Sequence, residues 1–165
     1  MTTMIEMAGY GTAALLLAVA VYFDLKFRII PNWLCGCLLL LGFAMQGALV
    51  GGSGLLDATY GMLLALGIFV PAYAGGYMGA GDVKFMAAVG ALLGLLGTVN
   101  AIAYTLLVGG VFGLFHVVAR NVVFMTPILL RFYAPNPATS KVFFPYAFAI
   151  AIGSVCAYFH SIVTF

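Results

Sequence analysis

Two aspartates stand where an acid is hardest to keep. The chain has only four Asp and Glu residues among 165. Two of them, Asp24 and Asp82, sit at the edges of long apolar runs. A carboxylate in or near hydrocarbon is costly, so an acid retained there asks for a function. Asp82 closes the run Gly79-Ala80-Gly81-Asp82 and is followed by Val83-Lys84. Gly79 and Gly81 permit positive φ and close backbone approach. The chain can therefore turn sharply and start a helix with Asp82 at or near its N-cap. Capping alone would satisfy helix N–H groups and explain one acid. Asp24 is harder to explain that way, because it ends an apolar segment at the helix pole that disfavours an anion. An ion pair with Lys26 or Arg28 at a wet surface would contribute only about 0–1 kcal/mol.

Taken together, the two acids form a candidate aspartyl dyad. Two carboxyls sharing one site do not both ionise cheaply, so one keeps its proton. The pair then holds a base that can activate water and an acid that can polarise a carbonyl. Helix polarity assigns the base to Asp82, at a helix start, and the proton to Asp24, at a helix end. Because coupled acids titrate as a pair, this is an assignment within one unit.

The elements that must position them are membrane helices. The chain is 65% hydrophobic and 6% charged, with mean hydropathy +1.22. Soluble domains carry about 25% charged residues. The apolar runs lack the alternation of barrel strands. The expectation is an all-α, polytopic membrane protein forming one membrane-embedded domain over residues 1–165, with no separate soluble domain. Six apolar segments are predicted, at residues 7–23, 33–50, 58–74, 83–96, 99–118 and 144–163. The fourth is short, about 21 Å at 1.5 Å per residue, against a hydrocarbon core of about 30 Å. Its first turn, with Asp82, is expected below the membrane surface.

Charge orients this bundle. Lys26 and Arg28 fall in the first connection, Lys84 in the third, and Arg120, Arg131 and Lys141 in the fifth. The second (residues 51–57) and fourth (residues 97–100) connections have no Lys or Arg. The positive-inside rule then makes the basic face cytoplasmic and puts both termini outside. Asp24 and Asp82 share the cytoplasmic face; Asp57 lies at the other. No basic region precedes the first apolar run, so that run is expected to remain as a span. Residues 122–133 are apolar but too short to span, and Pro135-Asn136-Pro137 predicts a turn. The net charge of +2 gives no reason to expect a nucleic-acid partner. Cys35, Cys37 and Cys156 are odd in number and lack a usual zinc spacing, so all three are read as small core residues and no metal or cofactor is expected. His116 and His160 are single residues of apolar segments and are read as packing.

The run Asp24-Leu25-Lys26-Phe27-Arg28-Ile29-Ile30-Pro31-Asn32 resembles the first-aspartate motif of the type IV prepilin peptidases. Gly79-Ala80-Gly81-Asp82-Val83-Lys84 resembles their Gly-x-Gly-Asp motif. Pro145-Tyr146-Ala147, with Ala149 and Gly153, resembles their proline-containing last span, although that family often has Gly at the position of Ala147. The resemblance runs over essentially the whole chain. It implies an intramembrane aspartic protease of the bacterial cytoplasmic membrane. Such an enzyme cuts the basic leader of a prepilin after a glycine, at the cytoplasmic face, with Asp24 and Asp82 as catalytic acids. It implies a prepilin and the lipid bilayer as partners, with pilus-assembly proteins as further ones. Gly79, Gly81, Lys26, Lys84, Pro31, Asn32 and Pro145 match supporting positions. Lys26 and Lys84 could orient a substrate carboxylate or carbonyl, or simply anchor the positive face. The short first connection and the lack of paired Cys-x-x-Cys resemble the peptidase-only form of tight-adherence (Flp-type) pilus systems, without methyltransferase activity. Presenilin-type proteases share Gly-x-Gly-Asp but place Tyr directly before the other Asp, where this chain has Phe23. Two other classes compete: an ion- or proton-coupled transport subunit and a non-enzymatic scaffold of a pilus complex.

Overall fold

The structure is a computed structural model that describes residues 2–27, 29–76, 78–125 and 146–163. Among these residues every regular element is a helix: α1 (Thr2–Phe27), α2 (Asn32–Val50), α3 (Gly52–Ala74), α4 (Ala80–Met125) and α5 (Tyr146–Val163). Four of them contain stretches long and apolar enough to cross a membrane, Gly9–Phe27, Asn32–Val50, Gly52–Ala74 and Ala80–Val111. The stretch Ala147–Tyr158 of α5 is apolar but shorter. Large side chains such as Leu15, Leu40, Leu96 and Leu114 are more than 60% exposed. That pattern suits lipid rather than water as the surrounding medium, and the protein is a multi-pass membrane protein.

The start of α4 is the centre of the bundle. Phe85, Met86, Ala88, Val89 and Ala91 are all essentially inaccessible, and Val83 and Leu92 nearly so. A helix that is apolar all round belongs inside a bundle, and here α2, α3 and α5 pack around it. Small residues set the distances. A Cβ on Gly42 of α2 would meet the Leu92 backbone N at 2.7 Å, and one on Gly90 of α4 would meet the Gly61 carbonyl of α3 at 2.5 Å. On α5, a Cβ at Gly153 would lie 2.8 Å from the Thr105 N and 2.9 Å from the Ala101 carbonyl. Apolar burial gives little drive between helices in lipid, so close backbone approach through small residues holds them. α5 runs antiparallel to α1: Ala147 lies at Asp24, while the rings of Tyr10 and Tyr158 meet with centroids 4.4 Å apart.

The expected six segments need correction in the middle of the chain. The fourth and fifth follow one another in α4 as two helical stretches with no loop between them, and residues 97–100 are helical rather than a connection. The interruption lies at Gly94, with φ 69° and ψ −174°. Along a straight helix residues 90 and 98 would be about 12 Å apart. The Thr98 hydroxyl nevertheless donates to the Gly90 carbonyl at 3.1 Å and to the Gly94 carbonyl at 2.6 Å, so the chain bends hard there. Asp57 makes this break viable without a loop. Its Oδ1 accepts the Leu95 N–H at 3.1 Å, while Gln46 Nε2 donates to the Leu92 carbonyl at 3.1 Å. The second connection also shrinks from residues 51–57 to the single Gly51, and α3 starts at Gly52. Cys35 is buried, but Cys37 and Cys156 are exposed rather than core. Residues two apart on a helix point about 200° apart, which separates Cys35 from Cys37. Residues 126–145, with Arg131, Lys141 and the expected turn at Pro135 to Pro137, lie outside the described residues, as do Arg28 and the side chains of His116, Arg120 and His160.

Candidate active site

Asp24 lies in the last turn of α1, three residues before its end at Phe27. Ile29, Ile30 and Pro31 stop that helix: two β-branched residues precede a proline, and the residue before a proline is driven out of the α region. Pro31 then caps α2 with φ −62° and ψ 133°, its carbonyl accepting the Leu34 N–H at 3.1 Å. The carboxyl of Asp24 lies against the backbone N–H of Ala147 in the first turn of α5. Its Oδ2 is buried with no hydrogen-bond partner among the described residues.

Asp82 is the third residue of α4, whose cap is Gly79. It is therefore one turn in from the expected N-cap. Its Oδ2 accepts the Gly79 N–H at 3.2 Å while the Gly79 carbonyl accepts the Asp82 N–H at 3.2 Å. This is the back-reaching half of a capping box. The two glycines act by size, not by φ: neither has positive φ, which in this loop belongs to Gly76 (φ 74°). A Cβ on Gly79 would stand 3.0 Å from Asp82 Oδ2, and one on Gly81 would stand 3.4 Å from Ile30 Cβ. Gly79 makes room for the carboxylate, and Gly81 for the α1–α2 connection.

The two acids meet. The carboxyl of Asp24 is close enough to Asp82 to act on it electrostatically, although α1 and α4 are separate helices. Both carboxyls lie at a helix N-terminus, that of α5 for Asp24 and that of α4 for Asp82. Helix polarity therefore does not divide base from acid as the sequence suggested. The basic neighbours are engaged elsewhere. Lys26 Nζ donates to the Tyr22 hydroxyl at 2.9 Å and lies 5.3 Å from the ring centroids of Tyr22 and Phe27. Lys84 Nζ donates to Asn32 Oδ1 at 3.1 Å. Pro145 lies outside the described residues, one position before α5. Cys35, read from the sequence as a core residue, is buried, and its thiol lies near both Lys84 and Asp82. Sequence reasoning missed the part played by Ala147, which is 123 residues from Asp24 along the chain and whose relevant group is a backbone N–H.

Chemically, two interacting carboxyls at one end of a bundle, with one buried oxygen left unpaired, can hold and polarise a small polar molecule between them. No solved structure matches the chain. Over residues 12–114 it matches the model of the type IV leader peptidase family. It is 30% identical over 159 residues to the prepilin leader peptidase/N-methyltransferase of Bacillus subtilis (strain 168). That alignment covers 92% of this chain and 56% of the relative, so the chain spans little more than half the length of the curated protein it matches. Both aspartates, and the glycines that precede Asp82, fall inside the matched region, and the chain belongs to the type IV leader peptidase family.

Proposed function

We propose that this protein is an intramembrane aspartic endopeptidase that removes the leader of a type IV, Flp-like prepilin after a glycine. Asp24 and Asp82 would be its catalytic pair. The observation that carries this is their proximity: two acids 58 residues apart, on α1 and α4, lie close enough at one end of the bundle to act on each other electrostatically. Family membership supplies the reaction class. One carboxylate takes a proton from water as its oxygen attacks the scissile carbonyl carbon. The protonated partner donates to the carbonyl oxygen. The tetrahedral intermediate then collapses, the C–N bond breaks, and the leaving amine takes a proton from the pair.

The cytoplasmic face is the better candidate for the cut. Lys26 and Lys84 flank the pair, and the positive-inside rule orients them to the cytoplasm of a bacterial inner membrane. If the chain reverses at Gly94, α4 crosses twice. Six spans and outer termini then follow, with residues 80–93 as the short one. A peptidase-only form fits the α1–α2 connection, which is only residues 28–31 and leaves no room there for a soluble domain.

The experiment is co-expression with an Flp-like prepilin, for wild type, Asp24→Asn and Asp82→Asn, each checked for membrane insertion. Cleavage after glycine by the wild type alone, with an unmethylated new N-terminus by mass, is the expected result. Retention of the wild-type rate by either variant would overturn the paired-acid reading. A methylated product would overturn the peptidase-only one.

A further inference from the structure

The two acids sit on helices whose backbones stay apart. No Cα of α1 comes within 8 Å of a Cα of α4 among the described residues. The segments that join those helices therefore help to set the separation of Asp24 from Asp82. On the α1–α2 side two contacts do so, and they grip α4 on either side of Asp82. Buried Ile30 lies over Gly81, one residue before it, where a Cβ would stand 3.8 Å from both the N and the O of Ile30. Asn32 Oδ1 accepts from Lys84 Nζ at 3.1 Å, two residues after it.

Local chemistry frees both partners for this bond. Asn32 is the first residue of α2, but Pro31 is the cap and no side-chain cap bond is made, so the amide can point outward. Lys84 is two residues beyond Asp82, and residues so spaced on a helix do not face each other. Its ammonium reaches α2 instead of neutralising the acid. We infer that Asn32 and Lys84 form a positioning strut that fixes the first turn of α4 against α2, and so holds Asp82 opposite Asp24. On this account Lys84 acts on the enzyme's own geometry and does not read the substrate. The inference rests on the proposed role of the two acids.

Steady-state cleavage of a prepilin by Asn32→Leu, Lys84→Met and the double variant tests it. A small misplacement of reacting groups can cost about 100-fold, so each single variant should lower kcat by roughly 10- to 100-fold with KM nearly unchanged. The double variant should be no slower than the slower single one, and Asn32→Asp, which keeps the acceptor, should retain activity. A rise in KM at constant kcat, or multiplicative losses in the double variant, would overturn the strut and make Lys84 a substrate contact. A second readout needs no turnover. Spin labels at the exposed positions of Leu25 and Ala80, in a background with its cysteines replaced, report the α1–α4 distance. Asn32→Leu should broaden or lengthen that distance distribution, and an unchanged one would overturn the strut. If wild type cleaves no prepilin, the proposed function fails, while the spin-label distances still decide the strut.

Discussion

At the residue scale, the seat of Asp82 can be probed with a single methyl group. Gly79→Ala puts a Cβ about 3.0 Å from Asp82 Oδ2, tighter than ordinary carbon–oxygen contact. The carboxylate has to give by a few tenths of an ångström, which disturbs its cap bond to the Gly79 N–H. Gly81→Ala meets Ile30 at 3.4 Å, which is van der Waals distance. Gly79→Ala should therefore lower the cleavage rate about tenfold or more, by displacing a carboxyl proposed to react. Gly81→Ala should stay within a few-fold of wild type, and Gly81→Leu should lose most activity. Equal losses in the two alanine variants, measured on membrane-inserted protein, would contradict this account of the two glycines. The acids themselves were legible in the sequence because acids are so scarce in this chain. Their surroundings were less so. The glycines suggested positive φ where the structure uses only their smallness, and the Ala147 N–H at Asp24 belongs to a helix at the far end of the chain.

At the element scale, the informative place is the break in α4. Gly94 combines φ 69° with ψ −174°, a region open essentially only to glycine. A Cβ there would also collide with the Asp57 carboxylate and stand 3.3 Å from Gln46 Nε2. Gly94→Ala should cost about 1–3 kcal/mol from backbone strain alone. It should appear as a lower thermal midpoint in detergent, with little residual activity. Asp57 separates capping from charge. Asp57→Asn keeps an acceptor for the Leu95 N–H and should be mild. Asp57→Leu leaves that N–H unpaired and should cost about 1–3 kcal/mol. If both Asp57 variants melt together near wild type, the carboxylate does not hold the break. The sequence placed this break at residues 97–100, between the fourth and fifth apolar segments. It could not show that an acid on α3 caps the helix at Leu95, because that contact spans 38 residues. The all-helical class and the apolar segments were readable, since continuous apolar runs leave a spanning chain no other backbone solution.

At the scale of the whole molecule, the first part of α4 separates two polar sites. Asp82 and the break at Gly94 are 12 residues apart, about 18 Å along a helix. The catalytic candidates lie at one end, and Asp57 with Gln46 at the other. Among the described residues the stretch of α4 between them is largely apolar, with Phe85, Met86, Ala88, Val89 and Ala91 buried. A proton-relay protein would need a polar path from one site to the other, and this apolar stretch of α4 does not supply one. The same layout makes orientation testable. α3 is about 35 Å long at 1.5 Å per residue, enough to cross a core of about 30 Å. Its ends carry the exposed residues Ser53, near the Asp57 end, and Ala74, near the catalytic end. With the three native cysteines replaced by alanine, Ser53→Cys should react with a membrane-impermeant thiol reagent only from outside intact cells. Ala74→Cys should react only in inverted vesicles. The reverse pattern would put Asp24 and Asp82 outside, where a leader held in the cytoplasm could not reach them, and the proposed cleavage would have to be abandoned even if both acids proved essential. Labelling of both positions from one side would show instead that α3 does not cross the bilayer. The positive-inside orientation would then lose its basis in this fold.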